Sequence, residues 1–276
     1  MNISPGTVSK ILWHFTGGPL WDSKKQRQSK KLKTNDVAYD SFISILRSKE
    51  LRLGSYREVV KVEYEKRIKG TKKGEKVKKV LESSPVCCLA DIPIQHLRYH
   101  ALRYGKFAIG YHRDSAIKNS FNPVFYSLEN TEVVRGIYDG ISSLAYFDAY
   151  EVKFACSNLE GLGELRDEEG EDVCIDGELS DIESAAEDLE YAISCSKESL
   201  EDFLSFVKTF TSDELDSIYC EREWRSLKSF KFDYNDIAML ILPKEAKEGS
   251  YVERILREMK IPRTIPVISW EDIVEH

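Results

Sequence analysis

An α+β fold with a central twisted sheet, peripheral helices and an acidic helical insertion is what the sequence predicts, and three observations predict it. Short apolar or alternating runs at residues 11–16, 85–90, 106–112, 122–126 and 237–242 read as strands. Longer stretches between them carry apolar residues at spacings of three and four, the period of a helix with one buried side. Charge is unevenly spread: Lys and Arg outnumber Asp and Glu from Lys24 to Lys79, and acids dominate from Glu160 to Asp202. With 276 residues the chain can bury a full core. Residues 1–276 read as a single α+β domain, with a basic helical arm at 56–82 and the acidic helical insertion at 158–210.

Each element follows from its local pattern. In Ile11-Leu12-Trp13-His14-Phe15-Thr16, alternation sets Leu12, His14 and Thr16 on one side of a strand and Ile11, Trp13 and Phe15 on the other. Gly17-Gly18-Pro19 ends it. Residues 21–33 are rich in Lys, Ser and Gln and read as a loop; 36–49 have helical spacing, with Asn35 or Asp36 placed to cap. The Lys- and Glu-rich stretch 56–82 reads as two charged helices around a Gly70–Gly74 turn. Residues 85–90 form an apolar run bounded by prolines, hence a buried strand, and 94–104 a helix. In the strand 106–112, Gly110 permits close approach by a ligand or by a neighbouring strand. Asp114 is placed to cap a short helix over 114–118. Pro123 opens the strand 122–126, and 131–150 has helical spacing. The stretch 158–181 has the composition of an acidic loop, followed by helices at 182–193 and 199–210. Ile237 to Leu242 is the most apolar run and reads as a central strand; a helix over 251–260 and a strand over 264–268 complete the chain.

Composition and motifs exclude several classes. There is no run of eighteen apolar residues, and the first ten residues lack the apolar core of a signal peptide, so a cytoplasmic protein without a membrane partner is expected. The six cysteines show no CxxC spacing and read as idle thiols of a reducing compartment. Neither GxxxxGK[ST] nor GxGxxG nor GxSxG is present. His96 and His100 stand four apart on one helix, but no third ligand accompanies them, and no metal is predicted. A metal-dependent nuclease would need clustered carboxylates, for which only Asp91, Glu221 and Glu223 stand as candidates. The Lys-rich stretch lacks the interleaved aromatics that read bases.

The run Cys220-Glu221-Arg222-Glu223-Trp224-Arg225-Ser226 is the most site-like stretch. Read as a strand, it lines one side with Glu221, Glu223 and Arg225 and the other with Arg222 and Trp224. The plain alternative is a salt-bridged edge strand or helix start with solvated charges.

The order of a His-Phe-Thr strand, "ILRSKELRLG", "VCCLADIP", "YGKFAIGYHRDSAIKNSFNPVFY", "EREWRSL" and "IAMLILP" resembles the bacterial abortive-infection family AbiGi, an antitoxin family of phage-defence loci. The resemblance implies one half of a toxin–antitoxin pair and no particular reaction. A weaker resemblance, in architecture, is to ADP-ribosyltransferases, whose split β-sheet clasps NAD as substrate. It implies that His14 contacts the adenosine ribose beside Thr16 and that Tyr111 or Tyr126 stacks on nicotinamide. It further implies that Glu223 holds the nicotinamide ribose and meets the positive charge developing there, that Glu221 orients the acceptor, and that Arg222 or Arg225 binds the pyrophosphate. The Ser-Thr-Ser motif of that layout is absent here. Two functions from different classes follow. One is a defence ADP-ribosyltransferase acting on a nucleic acid or protein acceptor; the other is a non-catalytic antitoxin or sensor that binds a cognate toxin or phage protein.

Overall fold

The computed structural model describes residues 9–22, 27–54, 56–67, 74–129, 131–146, 176–214, 218–245 and 249–274. In chain order the first elements are β1 (Ile11–Phe15), β2 (Pro19–Asp22), β3 (Arg27–Leu32), α1 (Asn35–Ser48) and β4 (Glu50–Leu51). There follow β5 (Val59–Arg67), β6 (Gly74–Glu82), β7 (Cys87–Ala90), α2 (Leu97–Tyr104), β8 (Ala108–His112), α3 (Arg113–Lys118), β9 (Asn122–Pro123) and β10 (Phe125–Leu128). The remainder are α4 (Glu132–Tyr146), α5 (Asp176–Leu204), β11 (Val207–Phe210), β12 (Glu223–Ser226), β13 (Phe230–Lys231), β14 (Ile237–Leu242), α6 (Tyr251–Glu258), β15 (Val267–Ser269) and α7 (Trp270–Val274). The α+β class stands.

The chain forms two compact units where a single domain was expected. The first comprises Met1–Tyr56, Pro85–Tyr126 and Phe210–His276; the second comprises Arg57–Ser84 and Ser127–Thr209. The first unit holds two apolar clusters, one on each face of its sheet, and the second holds a cluster of its own.

The first unit is built on a seven-stranded sheet in the order β15-β14-β8-β1-β7-β12-β9. Its pairings are antiparallel except β14 with β15. One face carries Leu12, Leu89, Ile109, Tyr111, Leu240 and Leu242, covered by Ala38, Tyr39, Phe42 and Leu46 of α1 and by Tyr251 and Ile255 of α6. The other face carries Trp13, Ala90, Ala108 and Ile241 beneath Leu97 and Ala101 of α2 and Trp270 of α7. Both faces being covered explains why β8 and β14 read as near-continuous apolar runs. Gly110 is the point of closest approach: a Cβ there would stand 2.7 Å from Ile11 Cγ2 and 2.8 Å from Trp13 Cζ3. Its neighbours are therefore side chains of the adjacent strand.

Several local expectations change. The stretch 21–33, expected as a loop, includes the end of β2 and all of β3, which pair antiparallel. Thr34 precedes α1 as its N-cap, and Lys49 closes it in the left-handed region at φ 51°. His112, not Asp114, precedes α3.

The basic arm, expected as helices over 56–82, contains two strands of the second unit, β5 and β6. β5 and β6 pair antiparallel from Val59↔Glu82 to Arg67↔Gly74. The alternation of Val60, Val62 and Tyr64 with charged residues outweighs the helix propensity of the lysines and glutamates around them. Val60, Val134, Tyr138, Leu204 and Val207 form this unit's core. The acidic insertion keeps its helical character in α5, one continuous helix in place of two, while Val207–Phe210 is strand. The expected acidic loop before Asp176 lies outside the described residues.

Candidate functional site

The charged run begins with a bend in the backbone. Tyr219–Glu221 is a 3-10 turn, Arg222 adopts the left-handed conformation at φ 43°, ψ 53°, and β12 starts only at Glu223. Glu221 therefore does not share a strand side with Glu223 and Arg225. A non-glycine residue in that region is uncommon and is held there by its surroundings. Arg222 is held twice. Its carbonyl accepts the Asp91 N–H at 3.0 Å, and its guanidinium donates to Asp91 Oδ2 at 3.0 Å. Asp91 Oδ1 also accepts the N–H of Ser9 at 3.1 Å. Burial pushes the Asp91 carboxyl above its ordinary pKa, against the pull of Arg222.

Each remaining charge of the run has its own counter-charge. Glu221 is 4% exposed, accepts from Tyr104 Oη at 2.9 Å and pairs with Arg103 at 2.8 Å. Glu223 receives both Arg225 Nε at 3.0 Å and Arg225 Nη2 at 3.1 Å. This is a bidentate fork within one strand, possible because i and i+2 share a side. Arg225 is fully buried, and its guanidinium lies 5.8 Å from the centre of the Tyr56 ring. The Glu223 N–H donates to the phenolic oxygen of Tyr126 at 2.7 Å. Tyr126 in turn stands edge-on to Tyr219 and Phe210.

His14 lies on the opposite face of the sheet. The register sets Trp13 opposite Ala90, and Ala90 opposite Glu223. Directly opposed residues point to the same side, so Glu223 and Arg225 share the face of Trp13, while His14 shares the face of Leu12 and Leu89. The His14 Nδ1 is 3.3 Å from the Cys88 carbonyl oxygen, and burial lowers its pKa to about 4, so the ring is neutral at pH 7. Thr16, on the His14 face and 3% exposed, donates Oγ1 to the Ala38 carbonyl at 2.8 Å and ties β1 to the start of α1. Lys33 Nζ donates to the Thr16 carbonyl at 3.1 Å. Tyr111 is fully buried between Phe230 and Phe232, ring centres 5.0 Å away, and among the described residues its hydroxyl has no hydrogen-bond partner.

The structure thus brings together Glu223, Arg225 and Tyr126, and separately His14, Thr16 and Tyr111, with the sheet between the two sets. Residues that would have to meet one NAD molecule do not converge. Among the described residues no three His, Cys, Asp or Glu side chains are grouped to hold a metal. His96 is exposed, and His100 is buried against Phe15 and Tyr104 at 4.8 and 4.5 Å. Tyr126 is among the candidates the sequence offers; the partners Arg103, Tyr104 and Tyr56 emerge only in three dimensions, because no spacing in the sequence links them to residues 221–225. A groove of about 710 Å³ between α1 and α6 contains none of these residues. Within it Glu258 accepts from Arg254 Nε at 2.8 Å and from Tyr39 Oη at 3.3 Å.

No helix among the described residues is long and apolar enough to cross a membrane. No solved structure matches the chain. A family model described as "Putative abortive phage resistance protein AbiGi, antitoxin" matches residues 57–270. Over 65 residues the chain is 35% identical to the abortive phage resistance protein AbiGi of Lactococcus lactis subsp. cremoris. That match spans 22% of this chain and 26% of the relative, about a quarter of the relative's length. The family model covers well over half of the sequence, from β5 to the start of α7. The chain belongs to the AbiGi family of abortive phage resistance proteins.

Proposed function

We propose that the chain acts by binding, as the antitoxin of an abortive-infection pair that holds a protein partner, and that it transfers no group itself. The observation that carries this reading is the closure of Glu223 on the buried Arg225, across the sheet from His14. A transferase would need Glu223 presented to a ribose in a shared cleft, where preorganised charge meets the transition state. A carboxylate holding a fully buried guanidinium with both oxygens is instead committed to the fold. The family's description as an antitoxin supports the same reading.

The experiment has two arms. Labelled NAD is incubated with the purified protein and DNA, RNA or cell lysate, beside the Glu223→Gln variant. Separately, the chain is co-expressed with its cognate toxin and growth is followed. Relief of growth arrest without label transfer is the expected result. Label transferred or nicotinamide released by the parent and lost in Glu223→Gln would overturn the proposal in favour of the transferase.

A further inference from the structure

The helix α5 has two stripes, and only one of them is used within its unit. Ile193 and Leu204 are buried and Leu200 packs beside the cluster of Val60, Val134, Tyr138 and Val207. Next to that inward stripe, Leu189, Ala192, Ser196, Ser199 and Phe203 are all exposed. Leu189 is 52% and Phe203 50% exposed. Their spacing is three, four, three, four, the repeat of a seam that receives another helix. The two serines add little free polarity. Ser196 Oγ donates back to the Ala192 carbonyl at 2.7 Å and Ser199 Oγ to the Cys195 carbonyl at 2.8 Å. The stripe is thus a narrow, largely apolar seam with a bulky residue near each end.

Charge says what fits it. The sequence of α5 contains ten Asp and Glu and one Lys. Exposed Asp188 and Asp202 border the seam on its solvent side; Asp202 also accepts from Ser84 Oγ at 3.2 Å. A second copy of the same helix would bring like charges together and is disfavoured. A helix with an apolar stripe flanked by Lys and Arg meets both features at once. We infer that the Leu189–Phe203 seam of α5 is the docking face for a basic amphipathic helix of the protein partner, an inference whose biological setting rests on the antitoxin reading.

The test uses the full chain and a fluorescein-labelled helical Leu/Lys peptide of about eighteen residues, with a Leu/Glu peptide of the same pattern as control. Anisotropy titrations at about 50 and about 300 mM NaCl compare the parent with Leu189→Asp/Phe203→Asp, Asp188→Asn/Asp202→Asn and Tyr191→Ala. The parent should bind the Lys peptide and not the Glu peptide. Leu189→Asp/Phe203→Asp should bind roughly tenfold more weakly although it carries more negative charge, so attraction by charge alone would predict the reverse. Asp188→Asn/Asp202→Asn should lose much of the salt dependence. Tyr191, 72% exposed and well round the helix from Leu189, should be replaceable without effect. Equal or tighter binding by Leu189→Asp/Phe203→Asp, no binding by the parent, or self-association abolished by that same double substitution would each overturn the inference. In cells, a parent and a Leu189→Asp/Phe203→Asp variant that neutralise the toxin equally would sink the docking face and leave the antitoxin reading. A parent that does not neutralise it would sink that reading, with the peptide titration still deciding the seam.

Discussion

Removing the Glu223 carboxylate leaves a guanidinium with no exposure to water and without its bidentate acceptor. Breaking a buried ion pair on one side costs about 3–5 kcal/mol, because the remaining charge is desolvated and has lost the counter-charge of the pair. For a protein of this size each kcal/mol moves the midpoint by about 2–4 °C, so Glu223→Met should melt about 6–20 °C below the parent. Glu223→Gln keeps one acceptor and should lose less, about 1–3 kcal/mol. The double variant Glu223→Met/Arg225→Met replaces the pair by apolar groups of similar length and should recover most of the loss. Its residual deficit includes the lost contact of the Arg225 guanidinium with the Tyr56 ring. Thermal and urea unfolding of the parent, Glu223→Met, Arg225→Met and the double variant form a double-mutant cycle whose coupling energy should be large and favourable to the pair. Costs that simply add, or a Glu223→Met variant as stable as the parent, would refute the structural role assigned to this carboxylate.

Three further outcomes follow from the same packing. His14 titrates near 4 in the folded chain and near 6.5 when unfolded, so between those values the unfolded state binds more protons and stability falls as pH is lowered. That contribution is on the order of 3 kcal/mol once the pH has fallen to about 4. His14→Asn should flatten the stability profile between pH 6.5 and about 4, and curves parallel to the parent's would contradict the burial described. Tyr111→Phe removes a buried hydroxyl that has no partner among the described residues and should leave the unfolding midpoint unchanged or raise it, by up to about 1–3 kcal/mol; a marked loss would show that the hydroxyl is satisfied. Gly110→Ala drives a methyl group into Ile11 and the buried Trp13 and should destabilise by about 1–3 kcal/mol in urea titration, whereas a neutral effect would mean that the two strands can part.

Much of the first unit's sheet was legible in the sequence because its strands announce themselves locally. Alternation in residues 11–16 and the unbroken apolar run 237–242 each reflect burial that acts residue by residue. The hairpin β5–β6 was less legible, since its lysines and glutamates suit an exposed helix as well as an exposed strand and only the Val60-Val62-Tyr64 alternation distinguishes them. The site shows the deeper limit. Within β12 the shared side of Glu223 and Arg225 follows from parity alone. Whether His14 lies on that side depends on the register of β1 against β7 and of β7 against β12, and a shift of one residue in either would have put His14 and Glu223 together. Nothing in the spacing of residues 14, 90 and 223 encodes that register. Tyr104 and Arg103 likewise reach Glu221 only because α2 folds over the same face of the sheet.

Neutralisation by the Glu223→Met/Arg225→Met variant shows whether the charged run serves the fold of a chain that acts by binding. Cells expressing the cognate toxin are grown with the parent or with the double variant, each first shown to be folded. Equal rescue is the predicted result. Loss of rescue by a folded double variant, with the parent active, would contradict the account and return Glu223 to the chemistry of the site.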